Sequence, residues 1–257
     1  MQSEKYIVGL ITPEALASLK TDGGFTAKAI EACDALEIRY DLFPDEAAWP
    51  RLSETVSDFA PEKLQIGTLR LARDGGKLPN SCASSRLRNW ELILSQSEHP
   101  AVLDLEQDCL FAFAELNLLA KEAHAEILVS QHDFHAVPLY QTLEKLATDA
   151  LRLGATGVKI AAMSNSHGDT APLYNFAEAY SAKFRYFSAF AMGETGKASR
   201  LLSLKKGSNL SYASISQASA PGQLPALKMR QILDFLPENA TELQVFKLLQ
   251  ANSAGLL

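Results

Sequence analysis

The chain has 257 residues, 47% hydrophobic and 21% charged, an ordinary globular composition with enough length to bury a sizeable core. Thirty acidic residues against 24 basic ones leave a net charge of −6, which argues against a nucleic-acid protein, since those carry a basic surplus or stripe. No apolar run approaches the ~18 residues that a membrane helix needs, the first residues are too soon interrupted by polar groups for a signal peptide, and three widely spaced cysteines (Cys33, Cys82, Cys109) fit reduced thiols of a cytoplasmic protein.

Short, nearly continuous apolar runs alternate along the chain with amphipathic stretches, as in a parallel sheet covered by helices. The pattern predicts strands over 5–12, 36–43, 63–71, 101–106, 125–134, 156–163, 184–192 and 210–216, each followed by a helical stretch. A last helix is predicted over 241–251, with Asn239 and Glu242 as its capping box. Eight β/α units in this length point to a single (β/α)8 TIM barrel over 1–257 with an extra C-terminal helix; a doubly wound open sheet is the alternative. No linker or low-complexity tract divides the chain.

In a barrel the chemistry sits at the C-terminal ends of the strands. Alternation puts Glu37, Arg39 and Asp41 on one side of the second strand, either the interior or the helix layer. The third strand ends at Arg70, followed by Arg73-Asp74-Gly75-Gly76. The fourth ends Asp104-Leu105-Glu106 and the fifth His132-Asp133-Phe134-His135. Lys159 lies inside the sixth, among residues that should be buried on both faces. A buried lysine is costly unless paired or neutral. Two interpretations follow: an imine-forming nucleophile, which needs a neutral amine, or a strand-edge lysine bridged to Asp104 or Glu106. His132 suits a general acid or base, or a hydrogen-bonded core position; the H-x-x-H spacing is a weak metal signal because the two rings point to opposite sides. Arg39, Arg70 and Arg200 around one mouth would suit a carboxylate or phosphate, although each alone would be an ordinary rim arginine. No nucleotide-binding glycine motif occurs.

The order E-x-R-x-D, R-x-x-x-D-G-G, D-x-E, HDFH, K-I-A and ASAPGQ, spread from about residue 5 to 235, resembles type I 3-dehydroquinate dehydratase. The resemblance implies a shikimate-pathway hydro-lyase that converts 3-dehydroquinate to 3-dehydroshikimate through a lysine imine, without metal or organic cofactor. Lys159 would form the imine, and His132 would move the proton and assist the departing hydroxyl. Arg200, Gln223 and Ser219 would hold the substrate carboxylate, Glu37, Arg39 and Arg70 its hydroxyls, and Met192 would pack on its ring. The implied partner is a small molecule, neither nucleic acid nor membrane, and homodimers are common in the family. Two departures stand out. Asp74 occupies the place of the family's usual glutamate, whose carboxylate orients the catalytic histidine, and is expected to serve that catalytic role despite its shorter reach, and Phe190 stands where a methionine is common. Another imine-forming barrel lyase or aldolase, or a quinate-sensing homologue of low activity, would share much of this pattern.

Overall fold

The computed structural model describes residues 4–80, 83–107, 113–166, 168–218 and 220–253. Ser219, Cys82 and Cys109 lie outside the described residues. Nine strands run in the order β7-β6-β5-β4-β3-β2-β1-β8-β9, all parallel. They are β1 (Tyr6–Ile11), β2 (Ala35–Arg39), β3 (Leu64–Thr68), β4 (Val102–Glu106), β5 (Glu126–Asp133), β6 (Gly157–Met163), β7 (Tyr186–Met192), β8 (Leu210–Ser214) and β9 (Leu224–Pro225). Each of the eight predicted strands is present, trimmed by a few residues, and β9 is a two-residue addition on β8. Asp41 falls beyond β2 in a 3-10 turn, not within the strand.

The helices cover the outside. They are α1 (Pro13–Ser18), α2 (Phe25–Glu31), α3 (Leu52–Phe59), α4 (Ala83–Leu94), α5 (Phe113–Glu122), α6 (Tyr140–Arg152), α7 (Ala171–Tyr180), α8 (Ser199–Leu202), α9 (Ala226–Phe235) and α10 (Glu242–Ser253). In α6, buried Leu143, Leu146, Ala147 and Ala150 follow the i, i+3, i+4, i+7 spacing of one helix face. Helix α10 is the extra C-terminal helix. Its start differs from expectation: Gln244 Oε1 accepts from Thr241 N (2.8 Å) and Thr241 Oγ1 accepts from Gln244 N (3.4 Å), so the box is Thr241/Gln244. Threonine and glutamine complete a reciprocal box there, and Glu242 instead accepts hydrogen bonds from Thr170 Oγ1 (2.5 Å) and Tyr174 Oη (2.7 Å).

The barrel closes at β7 and β8 largely through side chains. Asn209 N donates to Phe187 O (2.9 Å) and Phe187 N donates to Asn209 Oδ1 (2.7 Å). Ala189 N donates to Ser208 Oγ (3.1 Å), and Ser188 Oγ donates to Leu210 O (2.9 Å). These contacts satisfy edge groups that a ladder would otherwise take up.

Inside the barrel the strands build layers two residues apart. The lower layer is apolar: Ala35, Ile66, Val102, Leu128, Tyr186 and Leu210, with Val8. Two residues further along the same strands stand Glu37, Thr68, Asp104, Ser130, Ser188 and Tyr212, and in β6 Lys159 follows Gly157. All of these are buried. The next step up brings Arg39, Arg70, Glu106, His132, Ala161 and Phe190 to the mouth. A separate apolar cluster fills the space between sheet and helices and includes Leu36 and Ile38, the outward neighbours of Glu37. Among the described residues no helix is long and apolar enough to cross a membrane.

Candidate active site

A cavity opens at the C-terminal ends of the strands. It is lined by Glu37, Arg39, Arg70, Asp74, His132, Lys159, Met192, Arg200 and Gln223, every predicted site residue except Ser219.

Lys159 is 4% exposed and fixed on three sides. Its Nζ donates to Asp104 Oδ2 (2.9 Å) and to Glu37 Oε1 (3.3 Å), and lies 3.7 Å from the ring centroid of Tyr212. The structure shows the ion-paired arrangement, with Asp104 as one of the partners, and the amine also faces the cavity. Its partners are Asp104 and Glu37 because Glu106 is occupied elsewhere. Glu106 takes Arg70 Nη1 (3.2 Å), the Leu71 amide (3.3 Å) and Arg86 Nη1.

Arg70 spans the network, with Nη2 2.8 Å from Asp104 Oδ2 and Nη1 donating to Ser130 Oγ (2.8 Å). Burial opposes its charge, but Asp104 and Glu106 outweigh that and raise its pKa. Asp104 is likewise buried, yet Arg70 and Lys159 hold it below the usual carboxylate range. Arg39 forms a two-pronged pair with Asp41 (2.9 Å for both contacts), which fixes its guanidinium at the rim.

Arg200 is different. It is 1% exposed, packs 4.3 Å over the Phe190 ring, and donates to two backbone oxygens, Tyr212 O and Pro221 O (3.3 Å each). No carboxylate faces it among the described residues, its Nε is buried without a partner, and burial pushes its pKa down to about 9. Five cations (Lys159, Arg39, Arg70, Arg86, Arg200) meet four carboxylates (Glu37, Asp41, Asp104, Glu106), which leaves one net positive charge in the network. That surplus is the Arg200 guanidinium, a ready partner for one anionic group.

His132 pairs in register with Ala161, and Lys159 with Ser130, so the imidazole stands on the adjacent strand one layer above the amine, roughly 6–7 Å further along. Burial, reinforced by Arg70 and Lys159, lowers its pKa well below the ordinary histidine value, which leaves a neutral ring able to accept a proton. His135 is exposed in the following loop and does not share the cavity.

Asp74 reaches the mouth on a tight turn. A side chain on Gly76 would sit 2.0 Å from Arg70 O, and Gly75 has φ +81°. The carboxylate of Asp74 contacts Arg73 Nε (3.4 Å), and His132 Nδ1 is buried with no hydrogen-bond partner among the described residues. The histidine-orienting contact expected of Asp74 is absent from this geometry. Aspartate is one methylene shorter than the family's usual glutamate, a loss of reach of about 1.5 Å. On the opposite rim, Gly193 N donates to Pro221 O (3.2 Å), and a side chain on Gly222 would meet Gly193 O at 2.3 Å, so the Pro221–Gln223 turn lies tightly against the loop after β7.

Sequence reasoning missed Arg86 and Tyr212. A signal existed for the first: Arg86, Trp90 and Ile93 share one helix face, and the last two are core residues. For Tyr212 the alternation of Leu210, Tyr212 and Ser214 gave the side but not the contact.

Residues 21–240 match the family model for type I 3-dehydroquinase. A 3-dehydroquinate dehydratase of Methanosarcina mazei is 29% identical over 248 residues, covering 92% of this chain and 96% of its own. One of Methanococcus maripaludis is 38% identical over 212 residues, covering 81% and 91%. The crystal structure of 3-dehydroquinate dehydratase from Geobacillus kaustophilus superposes with a TM-score of 0.80 at 26% identity, covering 93% of each chain. On the match of its sequence over most of its length and of its barrel, the chain belongs to the type I 3-dehydroquinase family.

Proposed function

We propose that this chain is a 3-dehydroquinate dehydratase, a hydro-lyase that forms 3-dehydroshikimate through an imine on Lys159. The observation that carries this is the pairing, in one cavity, of a lysine amine with an arginine that has no carboxylate partner among the described residues, Arg200. A keto acid satisfies both groups at once: its carboxylate neutralises the guanidinium and its ketone meets the amine.

In the proposed sequence, Nζ adds to the substrate ketone and water leaves, forming an iminium. The amine must shed a proton before it attacks; the neutral imidazole of His132, which lines the same cavity, takes it and returns it to the carbinolamine oxygen, which leaves as water, so the ring is neutral again for the next step. Ammonium and iminium carry the same charge, so Asp104 and Glu37 compensate the free enzyme and the intermediate alike without reorganising. The iminium withdraws electrons from the neighbouring carbon, His132 takes the proton there, and the same imidazolium then protonates the departing hydroxyl. Water releases the product and regenerates the amine. Arg39 and Arg70, fixed by Asp41 and by Asp104 with Glu106, present donors to the substrate hydroxyls, and Met192 lines the wall. By the family resemblance Gln223, which lines the cavity, and Ser219 would join Arg200 in holding the carboxylate. A small-molecule partner fits the cavity at the barrel mouth and a cytoplasmic location fits three widely spaced cysteines as reduced thiols, whereas assembly as a homodimer is carried by the family resemblance alone.

Borohydride reduction in the presence of 3-dehydroquinate, followed by peptide mass mapping, tests the mechanism. A reduced adduct on Lys159 is expected. A folded protein that turns substrate over without any adduct would refute the imine route, and one that neither turns it over nor traps it would favour a different ketone or a ligand-sensing role.

A further inference from the structure

Tyr212 belongs to none of the roles above, yet it touches both grips on the substrate. Its ring centroid is 3.7 Å from Lys159 Nζ, and its backbone oxygen accepts from Arg200 Nη1 (3.3 Å). The residue is 3% exposed, and its strand is held on β1 in a register that pairs Tyr212 with Val8. Phe190, 6.1 Å away between ring centroids, packs in turn under Arg200. Two carboxylates alone leave the flexible four-carbon lysine stem free to swing between them. A ring face on a third side removes that freedom and favours a cation at one point.

We propose that Tyr212 is a positioning residue that fixes the distance between the imine-forming amine of Lys159 and the carboxylate-binding guanidinium of Arg200, the first through its ring and the second through its main chain. The proposal rests on the imine mechanism above. The phenol hydroxyl plays no part in it: Tyr212 Oη is buried without a hydrogen-bond partner among the described residues, an arrangement that costs stability, so the ring is what the site uses.

The test compares Tyr212→Leu with Tyr212→Phe in the full chain, measuring steady-state rates with 3-dehydroquinate, the rate of borohydride trapping, and melting temperature. Tyr212→Leu is expected to lose about ten- to thirtyfold in kcat, the range of a desolvated cation–ring contact, with trapping slowed in parallel. KM should change less than about threefold, because the backbone oxygen on Arg200 survives the substitution. Tyr212→Phe should recover most of the lost kcat and melt no lower than the parent. If Tyr212→Leu traps and turns over as fast as Tyr212→Phe, the proposal is overturned. It is equally overturned if Tyr212→Phe falls as far as Tyr212→Leu, since the hydroxyl would then be the active part. Should the leucine variant fail to fold, Tyr212→Met gives the same contrast with an unbranched side chain. Absence of trapping in the parent enzyme would instead count against the imine mechanism, and that outcome is visible before any variant is made.

Discussion

The lower and upper halves of the barrel interior are built from the same strands, two residues apart, and follow opposite rules. Below, Val8, Ile66, Val102, Leu128 and Leu210 are buried and apolar, and they close the barrel floor. Above them the same strands bury Glu37, Asp104, Lys159 and Arg70, each of which costs free energy to desolvate and is kept by its partners. The floor stabilises the fold by removing area from water, whereas the upper layers hold charges at fixed positions and contribute little net stability. Stability and activity should therefore separate by layer.

The largest effect is expected at Lys159. Lys159→Ala should abolish borohydride trapping and lower kcat by at least about 10⁴-fold, while a carboxylate ligand such as quinate still binds in calorimetry, because Arg200 is untouched. Arg200→Met comes next. A charged hydrogen bond to a buried carboxylate is worth about 2–5 kcal/mol, so kcat/KM should fall by about 30- to 5,000-fold. Among the described residues the variant strands no counter-ion, only the backbone oxygens of Tyr212 and Pro221, so its effect should fall on activity far more than on melting temperature. The same residue sets an alkaline limit: with its pKa pushed down to about 9, the free enzyme loses the cation as pH rises through that value. kcat/KM should then decline above about pH 9 while kcat, which reports the complex in which the substrate anion holds the charge, persists to higher pH. On the acid side, the lowered pKa of His132 means the base is lost only well below pH 6.5, so an acid limb at or above that value in kcat/KM would contradict the assigned role.

The floor should show the reverse behaviour. Leu128→Ala is expected to cost about 2–5 kcal/mol of stability, or roughly 5–15 °C in Tm, with kcat of the folded enzyme at 25 °C within about threefold of the parent. A large kcat loss there would mean that the floor also shapes the site. The smallest change belongs to Asp74. Its carboxylate contacts Arg73 and not His132, so Asp74→Ala should move kcat by only a few-fold and leave the pH profile in place. A shift of the acid limb would show that Asp74 reaches the imidazole during turnover.

The layered interior was partly legible in the sequence, since strand alternation put Glu37 with Arg39, Asp104 with Glu106, and Lys159 alone among aliphatic neighbours. Period two fixes which residues share a face, but not which strand faces which. It therefore offered Glu106 to Lys159 as readily as Asp104, when Arg70 and Arg86 already occupy Glu106. The three arginines also looked alike in the chain. Only in space does Arg39 find Asp41 and Arg70 find Asp104, while Arg200, on short helix α8, meets backbone oxygens and rings alone.

By itself, then, the sequence determined the alternation of eight strands with helices, the family pattern, and the residues that crowd the barrel mouth, because those follow from local periodicity and from residue types at fixed spacings. Tertiary structure alone decided the pairing of Lys159 with Asp104 and Glu37, the Tyr212 ring against its amine, the solitary Arg200, and the side-chain seam between β7 and β8. Each of those depends on contacts between residues tens to more than a hundred positions apart, whose choice is settled by competition for partners in a closed, water-poor interior rather than by anything local to the chain.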